Sequence, residues 1–184
     1  MLGFIRSVAD SECKGIETVA DIFAGTGQLL ADTDAVISSY GLSDTRTYGY
    51  EKYGGTGSAG LAEYNRERYN RLRSDYNALS KKGEGGYEET LMLFVLIVFS
   101  FNNQMRFNSR GEFNMPAGKR DFNSQMRSQL TAFAERLKEG EYIFTAQDFR
   151  THPADSWNED TFVYADPPYL ISRATYNGNG GWTE

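Results

Sequence analysis

One cysteine and one histidine are all the sequence offers of the residues that dominate thiol and transition-metal chemistry. Cys13 alone excludes an internal disulfide and fits a reducing compartment. His152 precedes Pro153 in a polar stretch, with no second His and no nearby Cys, so neither a metal site nor a catalytic dyad is expected around it. Positive charge is also short: 19 Lys and Arg stand against 25 Asp and Glu, a net charge of −6. No global field is available to hold nucleic acid, and any such contact must come from a local patch. The longest apolar run, Leu91 to Phe101, is too short to span a bilayer and reads as a buried helix. Met1 to Glu12 has neither the basic start nor the apolar core of a secretory signal. A cytoplasmic protein without membrane contact is the expectation. What is present suffices for a single packed domain: 184 residues, 40% hydrophobic and 14% aromatic, without repeats.

In chain order, Thr18 to Phe23 reads as a buried strand running into Ala24-Gly25-Thr26-Gly27 and then Gln28-Leu29-Leu30. A strand, a glycine turn and a helix start is the layout of a nucleotide-type cofactor loop, although two glycines also suit an ordinary tight turn. Asp21 lies in that strand. Ala35-Val36-Ile37 reads as a second strand, with no acid at its end for a ribose. Leu61 to Leu79 is expected to be a long helix. Leu61, Tyr64, Arg68, Leu72, Tyr76 and Leu79 track one predicted inner face, with Arg68 as the exception, and Arg66, Glu67, Arg71, Arg73 and Asp75 form a solvated one. Asn123 or Ser124 should cap a further helix with Met126, Leu130, Phe133 and Leu137 as its stripe and Gly140 at its end. Tyr142-Ile143-Phe144 reads as a strand followed by Asp148, an acceptor for a cofactor adenine or else a turn residue.

Between Asn102 and Arg127 lie five basic and two acidic residues, together with several amides and aromatics. This is the local patch that the overall charge conceals. Asn and Gln suit adenine edges, Arg suits guanine edges and phosphates, and Phe can stack. Arg106, Asn108, Arg110, Asn114, Lys119 and Arg120 are its candidate DNA contacts; a polar loop packed on itself is the alternative.

Phe162-Val163-Tyr164-Ala165 has the character of a strand that ends at Asp166-Pro167-Pro168-Tyr169. Pro167 cannot extend a ladder and biases Asp166 towards extended backbone, so the acid is presented at the strand's C-terminal end, where open α/β sheets bind ligands. An exocyclic base amine is a poor nucleophile, because its lone pair is delocalised into the ring. The Asp166 carboxylate and the Pro167 carbonyl can both accept hydrogens from such an amine, which frees the lone pair, and Tyr169 can stack on the base. An ordinary strand exit is the bland alternative.

Three segments in this order resemble the DNA adenine methyltransferase family. Asp21-Ile22-Phe23-Ala24-Gly25-Thr26-Gly27 looks like the cofactor motif of amino-methyltransferases, and Asp166-Pro167-Pro168-Tyr169 like their catalytic motif. Arg106-Phe107-Asn108 and Arg110 to Gly118 resemble that family's signature between the two. The resemblance runs from about residue 16 to the end. It implies an α/β fold: an incomplete Rossmann-like S-adenosylmethionine-dependent methyltransferase sheet with a helical DNA-recognition insertion. Residues 1–184 would form one methyltransferase domain fragment, with the insertion at 59–140. By resemblance, S-adenosylmethionine is the methyl donor and a flipped adenine in double-stranded DNA the acceptor, with no metal. Asp21, Phe23, Ala24, Gly25, Gly27, Asp148 and Asp166 would serve the donor, Asp166, Pro167, Pro168 and Tyr169 catalysis, and the Arg110–Gly118 segment DNA.

The family's N-terminal aromatic/Gly-Lys motif and its ribose acid are not found, and the chain stops soon after the catalytic motif. A fragment is therefore expected, with a complementing methyltransferase fragment or a cognate restriction endonuclease as partner. Two other readings stand beside the active enzyme: a remnant retaining only fold or DNA affinity, and a methyltransferase acting on RNA or on a protein glutamine.

Overall fold

A computed structural model describes residues 26–55, 57–83, 85–140, 142 and 157–164. Helix α1 spans Thr26–Tyr40, the short α2 Thr45–Tyr48, α3 Ala62–Ser80, α4 Gly86–Phe99 and α5 Ser124–Lys138. Single 3₁₀ turns lie at Glu51–Tyr53 and Phe101–Asn103, and the only pairings of strand type among the described residues are isolated bridges, Ser100 with Ala117 and Phe107 with Phe113.

The centre is α4. Leu91, Met92, Leu93, Val95, Leu96, Val98 and Phe99 are all buried, leaving almost no polar face. A helix that is apolar all round must be surrounded. Tyr69, Leu72 and Tyr76 of α3 cover one side, Leu29 and Ile37 of α1 another, and Leu130 and Ala134 of α5 join the same core. Phe113, Met115 and Phe122 complete it from the loop between α4 and α5. No helix among the described residues is long and apolar enough to cross a membrane.

Local chemistry explains the boundaries. Asn123 caps α5: its Oδ1 accepts from the Met126 N–H at 3.1 Å, a bond whose loss costs helices about 1 kcal/mol. At the end of α1, Gly41 takes φ +65°, its N–H donates to Ser38 O, and Leu42 N–H donates to Ile37 O. This pair of bonds satisfies the last carbonyls and tucks Leu42 into the core. Buried polar groups are paired as well. Asn65 accepts from the Ser43 N–H and donates to Ser43 Oγ, both at 2.9 Å. Asp121 accepts from the N–H and the hydroxyl of Thr45 at 2.7 and 2.9 Å. Burial raises its carboxyl above the usual carboxylate range despite those bonds.

Three expectations are corrected. Ala35-Val36-Ile37 is not a strand: it lies inside α1, where Leu29, Thr33 and Ile37 repeat every four residues and are all buried. A run of three apolar residues cannot tell strand from helix, and the longer periodicity decides. The inner face of α3 carries Asn65 and Tyr69 in place of Tyr64 and Arg68; Arg68 instead lies over the Tyr64 ring at 4.2 Å. Phe162-Val163-Tyr164, expected as a buried strand, is irregular and exposed (88, 51 and 78%). No described residue pairs with that backbone. The α/β class is accordingly not displayed by the described residues, which are mostly helical. Of the strand expected at 142–144, Tyr142 is exposed outside any regular element, and residues 143 and 144 lie outside the described set, as does the strand expected at 18–23.

Candidate nucleic-acid interface

Arg73, Asn77 and Lys81 recur every four residues and so form one row along α3 and its end. Each grips the segment that follows α4. Lys81 Nζ donates to Glu112 Oε1 at 2.6 Å, and Arg73 Nη1 donates to the Met115 carbonyl at 2.9 Å. Between them, Asn77 Nδ2 donates to the Phe113 carbonyl at 3.0 Å while its Oδ1 accepts from the Phe113 N–H at 2.8 Å. At the other end of α3, the Leu61 N–H donates to the Lys119 carbonyl. Residues 112–119 therefore run antiparallel to α3, from Lys81 past its end to Leu61 at its start. Two glycines permit close approach, one of the strap to the start of α3 and one of the strap to the end of α4. Gly60 has φ +54° and a Cβ there would stand 2.8 Å from Lys119 O. At Gly118, a Cβ would stand 2.2 Å from Ser100 O.

Residues 106–114 form a tight hairpin at one end of this strap. The Asn114 N–H donates to Arg106 O, the Asn108 N–H to Glu112 O and the Gly111 N–H to Asn108 O, each at 2.9 Å. Gly111, at φ +74°, supplies the left-handed residue the turn needs. Phe113 anchors it: the ring is 1% exposed and meets Phe107 and Tyr76 edge-on at 5.6 and 6.2 Å. Phe113 is thus a core residue, closed to base stacking, whereas Phe101 nearby is exposed.

The hairpin holds its polar side chains in defined poses. Arg106 Nε donates to Asn114 Oδ1 at 2.7 Å and its Nη2 to the Asn114 carbonyl at 3.0 Å. Asn108 Oδ1 accepts from the Arg110 and Glu112 N–H groups, and its Nδ2 donates to Glu112 Oε2 at 2.8 Å. Asn108 thereby shapes the turn. Arg110 has 77% of its side chain exposed and forks onto Glu112 Oε2, at 3.1 Å from Nε and 2.9 Å from Nη2. At the far end of the strap, Lys119 and Arg120 are exposed and make no ion pair with described residues. The six predicted contacts therefore fall into two groups on one scaffold: Arg106, Asn108, Arg110 and Asn114 in the hairpin, Lys119 and Arg120 beside the start of α3.

Glu112 is the electrostatic hub. The hydrogen bond from Lys81, then that from Asn108 and the nearby Arg110 charge, hold its carboxyl down at about 2. A carboxyl lowered by folding adds stability above its ordinary value of 4.5 and loses it as pH falls towards 2. Melting temperatures of the wild type and Glu112→Gln should therefore differ at pH 7 and converge between about pH 4.5 and 2.5. A difference that persists undiminished through that window would show that the hub carries no charge-dependent stability.

Sequence reasoning placed Arg73 on a solvated face and passed over Asn77. The missed signal is Asn within a helix, a poor helix former that needs a tertiary partner to justify its place. Asp21, Phe23, Ala24, Gly25, Asp148, Asp166, Pro167, Pro168 and Tyr169 lie outside the described residues. Gly27 is described: it sits in the exposed first turn of α1, which carries no acid, and a Cβ there would meet nothing within 4 Å. Among the described residues, no cluster of His, Cys, Asp and Glu could hold a metal.

A helical scaffold presenting an arginine–amide hairpin is the class of structure displayed. Residues 1–184 match the family model of D12 class N6 adenine-specific DNA methyltransferases, and the chain belongs to that family. It is 34% identical over 128 residues to the type II methyltransferase M.FokI of Planomicrobium okeanokoites, covering 68% of this chain and 18% of that protein. Modification methylase StsI of Streptococcus sanguinis is 29% identical over 93% of this chain and 28% of its own length. The DNA adenine methylase of Escherichia coli (strain K12) is 26% identical over 88% of this chain and 59% of its own length. The chain thus spans from under a fifth to about three fifths of these relatives. The family implies an S-adenosylmethionine-dependent methyltransferase fold, and its members generally use that donor.

Proposed function

We propose that the protein transfers the methyl group of S-adenosylmethionine to the N6 amine of adenine in double-stranded DNA. The family match across residues 1–184 carries this reading, and it favours DNA adenine over RNA or a protein glutamine. In this reading a Rossmann-like sheet bears the donor loop and the catalytic motif. Residues 59–140 are the helical DNA-recognition insertion within one methyltransferase domain. The donor contributes an activated methyl on a sulfonium; Asp21, Phe23, Ala24, Gly25, Gly27 and Asp148 hold it, the glycines by letting it approach the backbone.

The chain's own chemistry lies at Asp166-Pro167-Pro168-Tyr169. The Asp166 carboxylate and the Pro167 carbonyl accept the two amine hydrogens, Pro168 stiffens the backbone after that carbonyl, and Tyr169 stacks on the extruded adenine. No covalent enzyme intermediate is required. Arg106, Arg110, Lys119 and Arg120 meet the DNA, with Asn108 and Asn114 acting partly through the arginines they orient. A cognate restriction endonuclease is the proposed cellular partner, since StsI among the relatives is named a modification methylase.

The test is transfer of tritiated methyl from S-adenosylmethionine to unmethylated duplex DNA, followed by nucleoside analysis. N6-methyladenine as the labelled product is the expected result. Label in another nucleoside, or in RNA or protein alone, would overturn the assignment.

A further inference from the structure

The row Arg73, Asn77 and Lys81 belongs to neither the catalytic motif nor the six candidate DNA contacts, yet it fixes the hairpin that carries four of them. Its members differ in kind. Lys81 meets Glu112 through an exposed ion pair, a contact of small worth in water. Arg73 touches one carbonyl. Asn77 alone engages both backbone groups of a single residue, the buried Phe113, as a second strand would. A side-chain amide paired in this way fixes the height and the tilt of that peptide together, because either error lengthens one of the two bonds. One residue on, the Asn114 carbonyl and side chain hold Arg106. The chain of contacts is therefore short: the Asn77 amide, the Phe113 peptide, Asn114, the Arg106 guanidinium.

We infer that Asn77 is a positioning residue for DNA sequence discrimination, setting the pose in which the hairpin presents Arg106 to base edges. The inference rests on the proposed reading of that hairpin as the DNA contact. Base readout tolerates little displacement, because a bidentate Arg–base pair needs both bonds in line. Phosphate contacts by Lys119 and Arg120 tolerate more and carry no sequence information. Losing Asn77 should thus cost discrimination more than affinity.

The test selects binders from a random duplex library with the full chain, in parallel with Asn77→Ala, Asn77→Asp and Arg106→Ala. Non-specific affinity for calf-thymus DNA and the melting temperature are measured on the same samples. Asn77→Asp keeps the side chain's size and its acceptor for the Phe113 N–H, so it remains informative if the alanine variant is poorly folded. Expected is a defined motif for the wild type, with preference over a one-base-changed duplex falling about tenfold or more in both Asn77 variants, the range of one lost bidentate contact. Non-specific affinity should stay within about threefold, as the phosphate contacts remain. An unchanged preference in Asn77→Asp, with Arg106→Ala losing it, would overturn the role of Asn77 and leave the hairpin reading standing. No motif for the wild type, or no effect of Arg106→Ala, would overturn the hairpin reading and this inference with it.

Discussion

Asp166→Ala is expected to lower methyl transfer by about 10³-fold or more, the scale of losing one group that stabilises charge in a transition state. The carboxylate is the stronger of the two proposed acceptors for the adenine amine; without it, the amine lone pair stays in the ring and attacks poorly. Its proposed task is at the substrate amine, so the melting temperature is expected to hold. Single-turnover tritium transfer gives the rate, and calorimetric titration with S-adenosylmethionine separates lost chemistry from lost donor binding. Asp166→Asn, which keeps one acceptor oxygen, should retain more activity than the alanine variant. A rate above one tenth of wild type in Asp166→Ala would remove the acid from the mechanism.

Gly118→Ala should be the most damaging single methyl in the helical body. Gly118 is buried, and its N–H donates to the Phe99 carbonyl at 2.7 Å. An added Cβ would lie 2.2 Å from Ser100 O and 2.6 Å from Ser100 C, backbone atoms that cannot swing aside. Relief means pulling the strap off the end of α4, where the Phe101 N–H also donates to Pro116 O at 3.0 Å. Overpacking of this kind costs about 2–3 kcal/mol, or roughly 5–10 °C in melting temperature for a chain of this size. Gly111→Ala is the comparison: its φ is +74° but nothing lies within 4 Å of an added Cβ, so only backbone strain of about 1 kcal/mol is expected. Thermal melts of both variants decide the matter. A Gly118 variant no less stable than the Gly111 variant would contradict the close packing of strap against α4.

The elements legible in the sequence are those with long periodicity. Helix α3 was expected over 61–79 and spans Ala62–Ser80, because Leu61, Leu72 and Tyr76 repeat at helical spacing over about four turns. The buried-helix reading of Leu91–Phe101 holds as far as Phe99, where α4 ends, while Phe101 is exposed; Asn123 caps α5 as its position before Ser124 suggests. Short apolar runs were less informative. Ala35-Val36-Ile37 suits a strand by residue type, but Leu29 and Thr33 before it extend the four-residue repeat that makes it helix. Arg68 stands out in the sequence as the exception on its face, and its guanidinium lies over Tyr64 and donates to that residue's carbonyl.

The candidate site divides in the same way. Residue types and their order along the chain pointed to the chemistry through the arginine–amide patch, the glycine motif at Ala24 to Gly27 and Asp166-Pro167-Pro168-Tyr169, and with them to a resemblance that the family match bears out. These are one-dimensional facts, readable because chemical identity does not depend on what lies nearby. Which patch residues face outward was decided by tertiary structure alone. Phe107 and Phe113 have equal claims to stacking in the sequence, but Phe113 is drawn into the core by Tyr76 and held by Asn77, whose partner stands 36 residues away. Arg110 and Glu112 are two positions apart, and only the turn at Gly111 brings them into a forked pair. Contacts between distant segments are set by how faces pack once helices have formed, and no local pattern encodes that geometry.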